Sequence, residues 1–135
     1  MKKKVFLGLI SGVVLLLLSV LGLFCILWLF PDMAMEYFGP AFIDQKQRNL
    51  LYYVQPFVMG PCLLWLWFKL GDMVKGRILV NSLKFGLFYM TVASLPYMLL
   101  IYSAMDVSLP VILSWLLFGF AEAFVCAVVF SKVDK

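Results

Sequence analysis

The stretch 109-LPVILSWLLFGFAEAFVCAVVF-130 decides how this chain folds, because it holds one acidic residue, Glu122, inside an otherwise apolar run. Every other carboxylate of the sequence lies outside an apolar run or at its edge. A carboxylate at that depth in a membrane-spanning segment must face protein or a wet cavity. The run therefore predicts a helix whose Glu122 side packs against the other segments.

The composition is that of a membrane protein. Of the 135 residues, 65% are hydrophobic and 13% are charged, and the mean hydropathy is +1.06. Soluble domains have about 45–50% apolar and about 25% charged residues. The length predicts a single domain, 1–135, with no room for an additional soluble one.

Four apolar runs divide the sequence: Val5–Phe30, Leu50–Phe68, Phe85–Tyr102 and Leu109–Phe130. Each is close to or above the ~20 residues that a helix needs to cross about 30 Å of hydrocarbon. Strict alternation of apolar and polar residues is absent, so helices are predicted instead of strands. We expect an all-α integral membrane bundle of four transmembrane helices, at about 5–30, 50–70, 78–104 and 109–131.

Basic residues predict the orientation of this bundle. Nine lysines and arginines fall in the N-terminal segment, the second loop and the C-terminal segment, whereas the first loop has two and the third has none. Lysine and arginine accumulate on the cytoplasmic side of membrane proteins. We therefore expect both termini in the cytoplasm and the chain in a cell membrane, with the bacterial inner membrane as the leading expectation.

Aromatic and amphipathic residues are expected at the membrane surfaces. Trp65 and Trp67 come at the cytoplasmic end of the second run, where an aromatic belt would place them. In the first outer loop, Asp32 can cap a short helix that ends at Phe38. The methionine and aromatic side chains of this piece suit a helix that lies on the membrane surface.

Several classes of chemistry have no support in the sequence. There is no histidine, and Cys25, Cys62 and Cys126 occur singly, without a CxxC pair. We expect no metal site, no cofactor and no histidine-based acid–base relay. The basic residues lie beside apolar runs, which is typical of topology signals, so no nucleic-acid partner is expected.

Small residues form a candidate packing surface. On a 3.6-residue period, the small side chains of the first run share one face with Ser11 and Leu15, and those of the fourth run lie beside Glu122. Small residues let membrane helices approach closely. The predicted packing residues are Gly8, Gly12, Ser19, Gly22, Gly119 and Ala123.

Glu122 is the candidate proton or ion site. Counting ~1.5 Å per residue from the cytoplasmic end places it about 12 Å deep. Ser11 and Thr91 fall near that depth, so we expect Glu122 to face Ser11, Tyr89 or Thr91, with Lys84 as an ion partner. Two interpretations stay open. Either a protonated or paired Glu122 locks the fourth helix against its neighbours, or Glu122 carries a proton or cation.

Prolines mark a second region of interest, which we expect in the outer half of the bundle. Each proline frees a carbonyl one turn back and bends its helix. The result is either kinked packing alone or an outward cavity, since broken helices recur where transporters bind substrates. The candidate cavity residues are Gln55, Pro56, Pro61, Ser94, Pro96 and Tyr97.

Three functions follow from these patterns. The first is an interaction or structural subunit of a membrane assembly, whose partners are the lipid bilayer and a second copy or another membrane protein. The second is a proton-coupled transporter of a small or amphipathic molecule that uses Glu122. The third is a lipid- or quinone-acting membrane enzyme, which the sequence supports least because histidine and a close acid cluster are both missing.

Overall fold

The computed structural model describes residues 1–32, 35, 46–70, 75–105 and 107–133, with the backbone alone for 46–49 and 52. This part of the chain has no strands and contains four helices: α1 (Lys2–Leu29), α2 (Lys46–Lys69), α3 (Ile78–Ala104) and α4 (Leu109–Val133). The all-α prediction is confirmed. Three of the helices, α1, α3 and α4, are long and apolar enough to cross a membrane. Most of the expected surface helix, Asp32 to Phe38, lies outside the described residues.

The helices pair unequally. α1 packs mainly on α2, α3 packs mainly on α4, and α4 contacts all three other helices. The α1–α2 contact is close because glycines meet there. A Cβ added to Gly60 of α2 would lie 2.6 Å from Ser11 Oγ and 2.8 Å from the Gly12 backbone nitrogen. Gly8 and Gly12, spaced as in a GxxxG motif, thus bring the two backbones into contact.

The densest packing is where α1 begins and α4 ends, called here the termini end. Trp67 of α2 makes an edge-on contact with Phe85 of α3 at 5.4 Å and a tilted contact with Phe130 of α4 at 6.0 Å. Trp67 is 6% exposed, so it belongs to the core. The prediction that it lies in an aromatic belt at the membrane surface was wrong. Trp65 is 64% exposed and does face outward.

α3 changes its winding halfway. Met90–Ser94 forms a π-helical segment between α-helical Ile78–Tyr89 and Leu95–Ala104. The Leu95 N–H bonds the Met90 carbonyl, five residues back. Pro96 follows, and it has no N–H to offer to the carbonyl four residues back. A change from α-helical to π-helical hydrogen bonds one turn before a proline is therefore expected, because the proline ring crowds the preceding turn.

The π segment changes which residues face the bundle. Four residues after Tyr89 a regular helix would turn Ala93 inward, but Ala93 is exposed and Ser94 is 7% exposed. The inserted residue thus moves a hydroxyl to the buried side of α3. Beyond this point, Leu95–Ala104 has no buried residue. At the opposite end of the packed helices, called here the loop end, α3 consequently contributes no buried side chain.

Candidate functional site

Glu122 connects two helices. The Ser19 hydroxyl on α1 donates a hydrogen bond of 3.1 Å to Glu122 Oε1 on α4, and the contact is half-buried. Ser19 itself is 9% exposed. Within the described residues Glu122 forms no ion pair, and the exposed Lys84 is not its partner. The carboxylate therefore faces another helix of the bundle through a hydroxyl, without a balancing cation.

Of the other expected neighbours of Glu122, Tyr89 lies near the carboxylate, whereas Ser11 and Thr91 do not. The Ser11 hydroxyl donates to the Gly8 carbonyl at 2.7 Å and faces Gly60, while Thr91 is exposed. The depth count failed because it assumed that the helix ends are level. Ser19 lies 17 residues after the start of α1 and Glu122 lies 11 before the end of α4, an offset of about 9 Å. The count therefore placed Ser11, instead of Ser19, level with Glu122.

Tyr89 and Ser94 extend the polar group from α3. Their hydroxyls are hydrogen-bonded to each other, and the Tyr89 hydroxyl lies near the Glu122 carboxylate. Gly119, one turn before Glu122, makes room for the pair. A Cβ at Gly119 would lie 2.7 Å from Ser94 Oγ and 3.8 Å from Tyr89 Cε1. The π segment thus places the Ser94 side chain in the same region as the Glu122 carboxylate.

The residues predicted to line an outer cavity are dispersed. Pro56 is fully buried, and Pro61 lies against Gly8, near the beginning of α1 and so away from the loop end. Gln55, Pro96 and Tyr97 are exposed. The Gln55 amide donates to Met59 Sδ of its own helix at 3.3 Å. The Ser94 hydroxyl is hydrogen-bonded to that of Tyr89. In the described part of the chain, the predicted cavity residues therefore do not line one common cavity.

The predicted packing residues are at helix contacts, with different partners. On α1, Gly8 and Gly12 meet Pro61 and Phe57 of α2. Further along the same face, Gly22 lies directly against the ring of Phe118 on α4. Ala123, beside Glu122, is fully buried. One continuous face of α1 therefore contacts α2 over its first half and α4 over its second half.

The sequence reasoning missed two contributors to these contacts. Gly60 was not selected, although it lies four residues after Pro56, as Gly12 does after Gly8. Phe118 was not selected either, and its ring fills the space that Gly22 leaves. The GxxxG spacing at Gly8 and Gly12 was the available signal for a close helix partner. Nothing local in the sequence indicates which phenylalanine would cover Gly22.

The arrangement can do two things chemically. A carboxylate among hydroxyls can share a hydrogen bond between helices, or it can take up and release a proton or hold a cation. In the described residues no three cysteine or carboxylate side chains come together as metal ligands do. No family model, curated protein or solved structure matches the chain.

Proposed function

We propose that this chain is an interaction or structural subunit of a membrane assembly. In this proposal it is a four-helix transmembrane bundle of a cell membrane, with both termini in the cytoplasm. The contact that supports it best is the Ser19–Glu122 hydrogen bond, because it uses the one carboxylate of the apolar runs to join α1 to α4. A hydroxyl–carboxylate bond in hydrocarbon has no water to compete with it.

The membrane topology rests on lengths and charges. α2 has 24 residues and would extend about 36 Å, enough to cross the hydrocarbon like its three neighbours. The nine basic residues of the termini and second loop, against two in the first loop, favour a cytoplasmic termini end. Protease protection of tags on both termini in sealed membrane vesicles measures this orientation directly.

The exposed apolar surface favours the role of a subunit. In the most apolar window of α3, 17% of the residues are buried inside the chain, and in that of α4 28% are buried. Leu95–Ala104 has no buried residue at all. Lipid can cover such surfaces, and so can the helices of a partner. A bundle with few buried residues, in which the Ser19–Glu122 hydrogen bond joins α1 to α4, suits a subunit that packs against a partner in the membrane.

Gentle extraction from the native membrane tests this proposal. The wild-type chain should migrate with a partner, and Glu122→Gln should keep that partner because glutamine can still accept the Ser19 hydrogen bond. Glu122→Leu should lose the bond, loosen α1 from α4 and reduce the amount of partner recovered. If the wild-type chain migrates alone at several detergent strengths, the subunit role is wrong.

A second candidate is a proton-coupled transporter. The observation that favours it is the position of Glu122 beside the Tyr89 and Ser94 hydroxyls, without a basic partner among the described residues. In proteoliposomes, Glu122→Gln should then abolish substrate-driven proton movement. Asp32→Asn, which removes a carboxylate at the edge of an apolar run, is the matched control and should leave the proton movement intact. Unchanged proton movement in Glu122→Gln would eliminate this candidate.

A further inference from the structure

The carboxylate of Glu122 carries a negative charge that no side chain of the described residues balances. No lysine or arginine in that part of the chain pairs with it, and its contact with α1 is the neutral Ser19 hydroxyl. A charged carboxylate inside a helix bundle is costly unless a partner neutralises it. The group therefore requires either a proton or a bound cation, and the atoms around it decide which of the two the site suits.

More oxygen atoms lie around Glu122 than a contact between two helices requires. One hydroxyl, that of Ser19, is enough to join α1 to α4. Yet α3 adds the hydroxyls of Tyr89 and Ser94, which are bonded to each other beside the carboxylate. The side chains of Ser19 and Ser94 are both buried. The carboxylate thus lies near hydroxyl oxygens from two other helices.

Two features of the backbone place the α3 hydroxyls there. The π segment turns Ser94 inward, and Gly119 leaves the space that Ser94 occupies, since a Cβ at Gly119 would lie 2.7 Å from Ser94 Oγ. Pro96 accounts for the change in winding, but it does not account for a serine at the inward position or for a glycine opposite it. Single-turn π segments are frequent at functional sites. The α3 side of the group therefore indicates a ligand independently of Glu122.

The chemistry of these oxygens selects the class of ligand. Carboxylate and hydroxyl oxygens are hard donors, which suit hard cations better than soft metals. Glu122 supplies a single negative charge, so a monovalent cation leaves the site neutral, whereas a divalent ion would leave a positive charge within the bundle. Among the described residues no three cysteine or carboxylate side chains come together as transition-metal ligands do. The ligand that fits is a monovalent alkali cation.

The carboxylate is accessible to such an ion. Glu122 is half-buried, in contrast to Ala123 beside it, which is fully buried. Beyond Ser94, the continuation of α3 along Leu95–Ala104 contributes no buried residue. The buried hydroxyls of Ser19 and Ser94 therefore lie on the bundle side of the carboxylate, and its other side is left exposed.

We infer that Glu122, Ser19, Tyr89 and Ser94 form a binding site for a monovalent alkali cation. The carboxylate supplies the charge, and the hydroxyl oxygens supply further lone pairs from α1 and α3. A bound cation links α3 to the contact that already joins α1 and α4, and so stabilises the packing of three helices. The inference goes beyond the subunit role proposed above, on which it does not depend, and it requires no transport.

Thermal melts of the purified full-length chain in detergent test the site, with sodium chloride exchanged for choline chloride at constant ionic strength. Above the dissociation constant, each tenfold increase in sodium should raise the midpoint temperature by a similar step. Glu122→Gln keeps an acceptor for the Ser19 hydroxyl but loses the charge, so it should fold and lose the sodium-dependent rise. Ser94→Ala should weaken the apparent sodium affinity about tenfold, the effect of losing one contact. Ser103→Ala, which removes an exposed hydroxyl from the same helix, is the matched control and should respond as the wild type does.

Equilibrium binding of radioactive sodium to the same preparations provides a second measurement, and the wild-type chain should bind a single ion. Equal midpoint shifts with sodium and choline, or a sodium shift that persists in Glu122→Gln, would overturn the inference. Stronger stabilisation by calcium would overturn the monovalent class, and a folded wild-type chain that binds no sodium would mean that a proton neutralises Glu122. Tyr89→Phe removes one oxygen atom alone and should weaken sodium binding, which keeps the test valid if Glu122→Gln fails to fold. Because these measurements use the isolated chain, their outcome is independent of partner recovery.

Discussion

The two ends of the packed helices are built differently. At the termini end, Trp67, Phe85 and Phe130 pack together from three helices, and the Gly8–Gly12 face of α1 touches the backbone of α2 at Gly60. At the loop end, Leu95–Ala104 contributes no buried residue. The same apolar composition thus gives a packed core at one end and an exposed helix at the other.

The comparison shows that hydrophobicity does not decide packing in such a chain. In lipid, helices associate through close contact and hydrogen bonds, because the surrounding acyl chains are as apolar as leucine. Glycines allow close contact where they lie opposite large rings, as Gly12 does with Phe57 and Gly22 with Phe118, whereas Leu95–Ala104 has no glycine and no buried residue. The polar group around Glu122 lies between these two regions and joins them through Ser19 and Ser94.

The largest expected effect comes from the aromatic core. Trp67→Ala should lower the free energy of unfolding by about 3–5 kcal/mol, as large cavities in protein cores do. Trp65→Ala, two residues away but 64% exposed, is the matched control and should cost far less. Thermal melts of both variants in one detergent measure the difference. Equal losses would show that the termini end is not the core.

The contact between α1 and α2 should be the next most sensitive. Gly60→Ala places a methyl group 2.8 Å from the Gly12 backbone nitrogen, so the helices must separate, at a cost of about 1–3 kcal/mol. Gly8→Ala meets its nearest atom, Pro61 Cγ, at the ordinary contact distance of 3.5 Å and should cost little. Denaturant titration of the two variants compares them. A larger loss for Gly8→Ala would contradict this packing.

Loss of the Ser19–Glu122 hydrogen bond should lower the free energy of unfolding by a smaller amount. Ser19→Ala removes the hydrogen bond to Glu122 and should cost about 1 kcal/mol, within the range of bonds between membrane helices. Ser103→Ala is the matched control, because the Ser103 hydroxyl bonds its own helix at the Leu100 carbonyl and is exposed. Melts of both variants provide the measurement, and equal changes would argue against a lock.

The loop end should be the least sensitive. Leu99 is 63% exposed, so Leu99→Ala should change the unfolding free energy of the isolated chain by less than about 0.5 kcal/mol. The same change at Leu63, which is 2% exposed, should cost about 2–5 kcal/mol. Comparing the two in detergent locates the boundary of the core. A large effect at Leu99 would mean that the outer part of α3 is packed against the chain.

Much of the fold could be predicted from sequence because its signals are local. Apolar run length identified helices, and the 3.6-residue spacing of small residues selected the face of α1 on which Gly8, Ser11, Gly12 and Ser19 are buried. Tyr89 was expected near Glu122, but Ser19 was not expected as its hydrogen-bond partner, since that partner depends on how far α1 and α4 are shifted along their axes. The inward turn of Ser94 depends on a π segment that the sequence signals only through Pro96.

Glu122 turns toward α1, and the Ser19 hydroxyl holds it there. A double-mutant cycle tests it most directly, with Ser19→Ala, Glu122→Leu and the combined variant unfolded under the same conditions. We expect a coupling free energy of about 1 kcal/mol, because the second change has no bond left to remove. Strictly additive losses would mean that the two side chains do not interact, and α1 would then not be tied to α4 through the buried carboxylate.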